Sequence, residues 1–415
     1  MPVGCCHGGS SFDALTAGRL CNALRHWRSA RTGAALAGSQ RAKIRTMEPT
    51  KLTYAAAGVD YLRMDALKLV AQRAARETGA NAAGIGMVEI AASRGESAYV
   101  MEIGGQLIAS ITECLGTKAL VADAVRGLSG RSHYDSIAQD TVAAAVNDLV
   151  SVGATPVSIH AYWSTGNSDW FSDRERTEDL VRGWKAACDT CHVSWGGGET
   201  PALNGVIEPG RIDLAASAVG IVKNRERLTV GDRLAVGDAI MLIESSGIHA
   251  NGVSLARKLA EQLPKGYATR MDDGREFGVA LLDPTILYPV VTEALFAANI
   301  VPHYCVNITG HGWRKLMRHH GAFTYRIHTA PPVPMVLAFM QRAAQMNDSE
   351  AYGSLNMGAG FAVFVAPAQA NAVIVAAKSV GLRAWNVGVV EAGAKRVLIE
   401  PRGVEYQSQE LQLRA

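Results

Sequence analysis

Between Ile111 and Lys118 the chain reads Ile-Thr-Glu-Cys-Leu-Gly-Thr-Lys, an acid, a glycine, a hydroxyl and a lysine in close succession. Glu113 suits a divalent cation, Gly116 permits close backbone approach, and Thr117 and Lys118 suit phosphate oxygens. The plain alternative is a β-turn with a solvated acid and lysine. Farther on, helical spacing of about 100° per residue stacks Asp140 over Asn147, with Asp148 to one side. Such a pair makes half of a magnesium site, or a solvated helix face. Gly196-Gly197-Gly198-Glu199 at a strand end lets backbone pass close to a ligand that Glu199 can reach, or is a plain glycine turn. Ser245 to Gly252, with Ser246, His249 and Asn251, joins a strand to a helix where open α/β sheets bind ligands; the other reading makes His249 and Asn251 turn and cap residues. Asn307 to Gly312, with Thr309, Gly310 and His311, is a second anion-friendly glycine turn.

The elements that must hold these groups alternate in type, which gives an α/β chain. Tyr99–Ile103 and Gln106–Ile111 read as a hairpin about Gly104-Gly105, so Glu113 follows a strand. A helix over residues 140–150 buries Val142, Ala145, Val146, Leu149 and Val150. Residues 157–163 form a strand, residues 174–188 a helix, and Val193 to Trp195 a buried strand that delivers the glycine run. Residues 212–222 close the first half. A second series starts with a strand at 239–244 and a helix at 253–262. Asp283-Pro284-Thr285 is expected to cap a helix running through Ala298. Strands at 361–365, 385–390 and 397–399 and a helix at 369–380 follow. Near the start, residues 65–77 form a helix with Leu67, Val70, Ala71 and Ala74 on one stripe, and Gly79 to Gly86 is a loop able to fold over phosphates.

At 415 residues the chain is long enough for two domains, and 48% apolar content with 42 glycines suits a globular α/β protein. A formal charge of +3 does not indicate nucleic-acid binding. Residues 1–46 carry seven basic side chains against Asp13, a local net of +6 that turns the chain's +3 into −3 for the rest. Arginine-rich and acid-poor, this stretch has transit-peptide composition, or lies upstream of a true start at Met47. Cys114, Cys188, Cys191 and Cys305 remain. Cys188 and Cys191 end a helix rather than open one, with no second pair or spaced histidines for zinc, so all four read as reduced cytoplasmic-type thiols. No run approaches the ~18–20 apolar residues of a membrane span. No Walker A, H-E-x-x-H, G-x-S-x-G or kinase motif set occurs.

Several stretches, in order, resemble one family. Ala57-Gly-Val-Asp60, Thr112 to Lys118, Val146-Asn-Asp-Leu149 with Gly153-Ala-Thr-Pro156, Gly197-Gly-Glu-Thr200, Gly247-Ile-His-Ala-Asn-Gly252, Pro284-Thr285, Ile308-Thr-Gly310 and Asn356-Met-Gly358 are similar to phosphoribosylformylglycinamidine cyclo-ligase (AIR synthase). The resemblance spans roughly residues 53–400 and implies a two-domain fold: an N-terminal domain (47–222) building a β-barrel dimer interface, and a C-terminal α/β domain (223–402), followed by a tail (403–415). It further implies a homodimer that uses ATP and Mg²⁺ to convert formylglycinamidine ribonucleotide to aminoimidazole ribonucleotide in purine biosynthesis, by phosphorylating the formyl oxygen. Carried over by position, Glu113, Asp140 and Asp148 become metal candidates. Gly116, Thr117, Lys118 and Asn147 become ATP-phosphate candidates, and Glu199, after Gly197 and Gly198, binds metal or nucleotide. Ser246, His249 and Asn251 face the substrate, and Thr309 and Gly310 its phosphate.

The family's usual Thr-Asp-Gly-Val-Gly-Thr-Lys has Glu113-Cys114-Leu115 at its centre here. The histidine usually found before Ile-Thr-Gly is Asn307, and His311 replaces a following glycine, so a catalytic imidazole is expected to have moved four residues unless the step needs none. Two other function classes stay open: a related ATP-dependent enzyme, such as a thiamine-monophosphate kinase, selenophosphate synthetase or hydrogenase-maturation dehydratase, and a silent relative acting as a binding protein. The early glycine loop and the end of the chain lack the reactive cysteines that the selenium enzyme and the dehydratase require.

Overall fold

The computed structural model describes residues 57–414 apart from residue 59. The expectations for residues 1–46, the start at Met47 and most of the lead-in before Asp60 lie outside the described residues. Helix α1 (Tyr61–Glu77) precedes strands β1 (Met87–Glu89), β2 (Tyr99–Ile103) and β3 (Gln106–Cys114), then helices α2 (Lys118–Ser129) and α3 (Tyr134–Ser151). Strand β4 (Thr155–Thr165), helix α4 (Arg174–Cys191) and strands β5 (Ser194–Glu199) and β6 (Ile212–Val222) complete the first half. Among the described residues these strands form one sheet in the order β1-β2-β3-β6-β4-β5, antiparallel except for β4 beside β5.

The second half runs β7 (Ala239–Glu244), α5 (Val253–Gln262), α6 (Phe277–Leu281), α7 (Pro289–Ala297), β8 (Tyr304–Asn307), β9 (Phe323–Ile327), α8 (Met335–Ala343), α9 (Asp348–Tyr352), β10 (Ala359–Val365), α10 (Ala370–Ser379), β11 (Ala384–Ala392), β12 (Arg396–Ile399) and β13 (Val404–Gln407). Its sheet has the order β13-β12-β9-β11-β7-β10-β8. Every residue of β10 is buried, as a strand flanked on both sides and covered on both faces must be. The stretch read as a tail supplies β13, the outermost strand of this sheet. No described helix is long and apolar enough to cross a membrane.

Helix α3 positions the site because it packs against β3, β4 and β6 of the first sheet and β8 of the second. Its predicted apolar residues Val142, Ala145, Val146, Leu149 and Val150 are buried, but so are Asp140, Thr141 and Asn147. A helix enclosed on all sides must find partners for its polar groups. Asp140 and Asn147 find them in the segment after α6. Asp140 Oδ1 accepts from Thr285 N at 2.8 Å and from Thr285 Oγ at 2.5 Å. Asn147 accepts from Tyr288 N at 2.8 Å and donates to Ile286 O at 2.9 Å. Those bonds hold residues 283–287 outside any helix. The helix expected from Asp283 therefore starts only at Pro289, with Tyr288 as its N-cap and no side-chain cap bond.

Two other expectations change. The stripe on α1 faces outward, with Leu67 70% and Val70 61% exposed. Polar contacts hold this helix instead: Gln72 Nε2 donates to Leu413 O at 2.8 Å, and Asp65 pairs with His311. The strand expected to be buried at Val193–Trp195 is β5, an exposed edge strand whose only ladder partner among the described residues is β4. Its glycines are required: a Cβ on Gly198, at φ 159°, would strike the backbone of Ala161.

Candidate active site

A cleft of about 650 Å³ is lined by elements of both sheets. From the first half come Glu113, Cys114, Gly116, Thr117, Asp140, Asn147 and Asp148, and from the second His249, Asn251, Gly252, Asn307, Thr309, Gly310, His311, Lys315 and Arg318. Strand β3 runs three residues past its predicted end, so Glu113 stands on the strand itself. Gly116, at φ 75°, turns the chain into α2, an element the sequence reading did not separate. Thr117 is the N-cap of α2 and Gly252, at φ 97°, the N-cap of α5. Thr117 Oγ lies 3.5 Å from Ser254 Oγ, so two helix N-termini meet at one wall of the cleft. Positive helix ends and their backbone N–H groups favour anions.

The opposite charge lies on β3 and α3. Glu113 shares a side-chain hydrogen bond with Asp148, and burial followed by the Asp148 charge pushes its carboxyl up to about 7. Asp148 also accepts from Asn307 Nδ2 at 2.7 Å. Lys315 is buried at 8% exposure, donating to Thr309 Oγ and to Asn307 O at 3.4 Å. Burial and then Arg318 lower its ammonium to about 8. Arg318 is anchored by Gly95 O at 2.8 Å and Ser97 Oγ at 2.7 Å. Asn307, Lys315 and Arg318 were not singled out as ligands from sequence. A signal existed: Lys315 and Arg318, three apart after the glycine turn, fall on one side of the 3-10 helix Gly312–Met317 and the residue after it.

The linkage for Glu113 has a definite sign. Its unfolded carboxyl, with an ordinary value of 4.5, releases the proton at lower pH than the folded one at about 7. The unfolded chain therefore binds fewer protons across that window, and this group's contribution to stability falls as pH rises through it. Glu113→Gln removes the effect. The variant should gain stability over the ligand-free wild type as pH goes from 5 to 8, by on the order of 1–3 kcal/mol. Urea denaturation in EDTA at several pH values measures the gap; a gap that shrinks with rising pH contradicts the assignment.

Several predicted residues occupy other places. Lys118 has no exposed surface; its Nζ lies 2.7 Å from Asp140 Oδ2 and donates to Asp283 O at 3.1 Å. The expected phosphate lysine and the expected metal acid thus bind one another, because α2 turns the first residue after its N-cap inward against α3. Asn147, expected near phosphate, is bonded to the backbone of Ile286 and Tyr288. Ser246 Oγ donates to Pro284 O at 2.6 Å, and Ser246 N donates to His249 Nε2 at 3.2 Å. His249 is buried and neutral, its imidazole pushed down to about 3 by burial and then by Lys118. With Nε2 accepting, its hydrogen sits on Nδ1. Glu199, Gly197 and Gly198 lie on β5, and neither they nor residues 79–86, which join α1 to β1, line the cleft. Thr309, Gly310 and His311 line the cleft.

Among the described residues no three His, Cys, Asp or Glu side chains come together as a metal cage. At the cleft, Glu113 and Asp148 offer a carboxylate pair, which fits Mg²⁺ held by one or two carboxylates with phosphate oxygens and water completing the shell. The thiols of Cys188 and Cys191 are free and pushed up by burial to about 11 and about 12, the opposite of the lowered values of reactive thiols.

The family described as AIR synthase related protein, N-terminal domain, matches residues 95–222, and that described as AIR synthase related protein, C-terminal domain, matches residues 235–400. The phosphoribosylformylglycinamidine cyclo-ligase of Carboxydothermus hydrogenoformans is 32% identical over 364 residues, 84% of this chain and 99% of that protein. The protein of the same name from Anaeromyxobacter sp. (strain K) is 36% identical over 293 residues, 69% of this chain and 81% of that protein. A crystal structure of hydrogenase maturation protein HypE in complex with ATP shares the fold at a TM-score of 0.52 and 17% identity, covering 72% of this chain and 83% of that one.

Proposed function

The chain belongs to the AIR synthase family, and from that premise we infer that it is a phosphoribosylformylglycinamidine cyclo-ligase, closing the imidazole ring of aminoimidazole ribonucleotide at the expense of ATP. One observation carries the reading to the site: two helix N-termini, the Glu113–Asp148 pair and the Lys315–Arg318 cations line the same cleft. Phosphoryl transfer is governed by positioning and charge neutralisation, and that set supplies both. ATP binding by HypE, a protein of the same fold, supports the nucleotide.

Phosphate oxygens are received at the Thr117 and Gly252 helix ends and at the Thr309-Gly310 turn, with Lys315 and Arg318 balancing their charge. Bound Mg²⁺ supplies charge neutralisation between phosphate groups, and Glu113 and Asp148 are the residues that would hold it. The formyl oxygen, once phosphorylated, departs as phosphate when the amidine nitrogen attacks the same carbon. His249, neutral and donating through Nδ1, contributes a hydrogen bond to the substrate wall rather than a base.

The second molecule of a homodimer fits the outer face of the first sheet, where Val157 is 43% and Val219 38% exposed. That face includes β5, so Glu199 is assigned to the dimer edge in this reading. Free thiols at all four described cysteines accord with the cytoplasm.

The test is release of ADP and phosphate by a protein beginning at Met47. Release should require formylglycinamidine ribonucleotide and divalent cation, and the same protein should restore growth of a purine auxotroph lacking this step. ATP turnover indifferent to that substrate sinks the reading in favour of a related kinase or dehydratase. Absence of Mg-ATP binding in titration calorimetry favours a silent relative.

A further inference from the structure

Helix α1 is joined to the cleft by a contact that its apolar pattern does not explain. Asp65 Oδ2 lies 2.9 Å from His311 Nε2, with the two side chains 14% and 5% exposed. Lys68, one turn on and itself part of the cleft lining, holds Asp65 Oδ1 at 3.1 Å. His311 has φ 69°, in the left-handed region. A side chain there costs roughly 1 kcal/mol that glycine would not incur, and such strain persists where the surroundings hold the residue for a purpose. The next residue, Gly312, is walled in by the backbone of Tyr352 and Leu355, which keeps the turn in this shape. The imidazole is thus held from two sides, by a rigid turn beneath it and a carboxylate from another helix.

We propose that Asp65 is a positioning residue for the ring closure, accepting the Nε2 hydrogen of His311 and so fixing the tautomer and orientation of an imidazole that meets the substrate; this rests on the cyclo-ligase reading above. A carboxylate only accepts, so the hydrogen of the neutral ring is on Nε2 and the lone pair on Nδ1. Burial holds His311 neutral, down to about 4, with Lys315 and Arg314 pushing the same way and Asp65 opposing. A carboxylate partner that orients a working histidine is commonly worth ~10–100-fold in activity. The rival reading makes Asp65 a tether for α1 and nothing more.

Asp65→Asn keeps the shape but offers the ring both a donor and an acceptor. The variant should lose about 10–100-fold in kcat, with KM for ATP and for the substrate within about 3-fold. It should add no further loss in a His311→Ala background. Long-range ¹⁵N–¹H spectra read the tautomer without turnover: Nε2-protonated in the wild type, mixed in Asp65→Asn. Unchanged kcat in Asp65→Asn, multiplicative losses in the double variant, or a wild-type His311 protonated on Nδ1 overturns the proposal. A wild type with the expected tautomer but no turnover of formylglycinamidine ribonucleotide fails the cyclo-ligase reading instead.

Discussion

Glu113→Ala should lower substrate-dependent ATP turnover by about 10²–10³-fold while leaving a folded protein. Two effects act on this carboxyl in opposite directions. In the ligand-free cleft it is a liability, because it is half-buried beside Asp148 and its proton is retained to about pH 7. A site that keeps two carboxyls together at such an expense in stability is one where a cation is expected to sit between them. Removing Glu113 therefore relieves the free protein and removes half of the carboxylate pair from the loaded one. Stability and activity should move apart, with Glu113→Ala at least as stable as wild type at pH 8 and nearly inactive. Glu113→Asp restores the family's usual acid and should retain turnover within about 10-fold, a loss near what one displaced metal contact costs. Titration with Mg²⁺ under saturating ATP separates this from a packing effect, since the alanine variant should need far more cation for half-maximal rate. Full ATP-dependent turnover in Glu113→Ala would show that the acid at the end of β3 is not part of the chemistry.

The sequence shows periodicity well and partnership poorly. Helix α3 and strands β2, β3, β6, β7 and β10 were legible because their apolar residues repeat at helical or strand spacing, and because Gly104-Gly105 is a hairpin signal. The orientation of polar groups on the same elements was not legible. Asp140 and Thr285 are 145 positions apart, and nothing local tells a buried acid that caps a distant loop from one that binds metal. The position of Glu199 outside the cleft lining was hidden for a related reason. Its glycine run marks close backbone approach, but the backbone approached is that of Ala161 in the neighbouring strand. On α1 the apolar stripe misled because two polar ties, not burial, hold the helix. Gly116 and Gly252 stand at helix starts with positive φ, and such positions impose their own residue choices, whatever lies opposite.

Breaking the pair beneath the cleft should have the largest effect on stability. Asp140→Ala leaves Lys118 buried without a counter-charge and strips Thr285 of its acceptor. Removing one member of a buried ion pair costs about 3–5 kcal/mol, and much of that appears as a lower midpoint in thermal or urea unfolding. Lys118→Met should be destabilising in the same range, since it leaves a carboxylate facing apolar surface, while joining both changes as Lys118→Met with Asp140→Leu should recover most of the loss. The double variant also decides what Lys118 does in turnover. In the free protein its ammonium is enclosed and turned to Asp140 and Asp283, so a role on phosphate requires α2 to release it when nucleotide arrives. If the pair serves only to join α2 to α3 and the 283–288 segment, the double variant should keep turnover within about 10-fold of wild type once folded. If Lys118 reaches phosphate during the reaction, the same well-folded variant should lose about 10²–10³-fold, as expected for removal of one transition-state donor. Unfolding midpoints and turnover measured on the same three proteins separate the two, and a double variant as unstable as Asp140→Ala would mean that the bonds to Thr285, not the ion pair, hold this wall together.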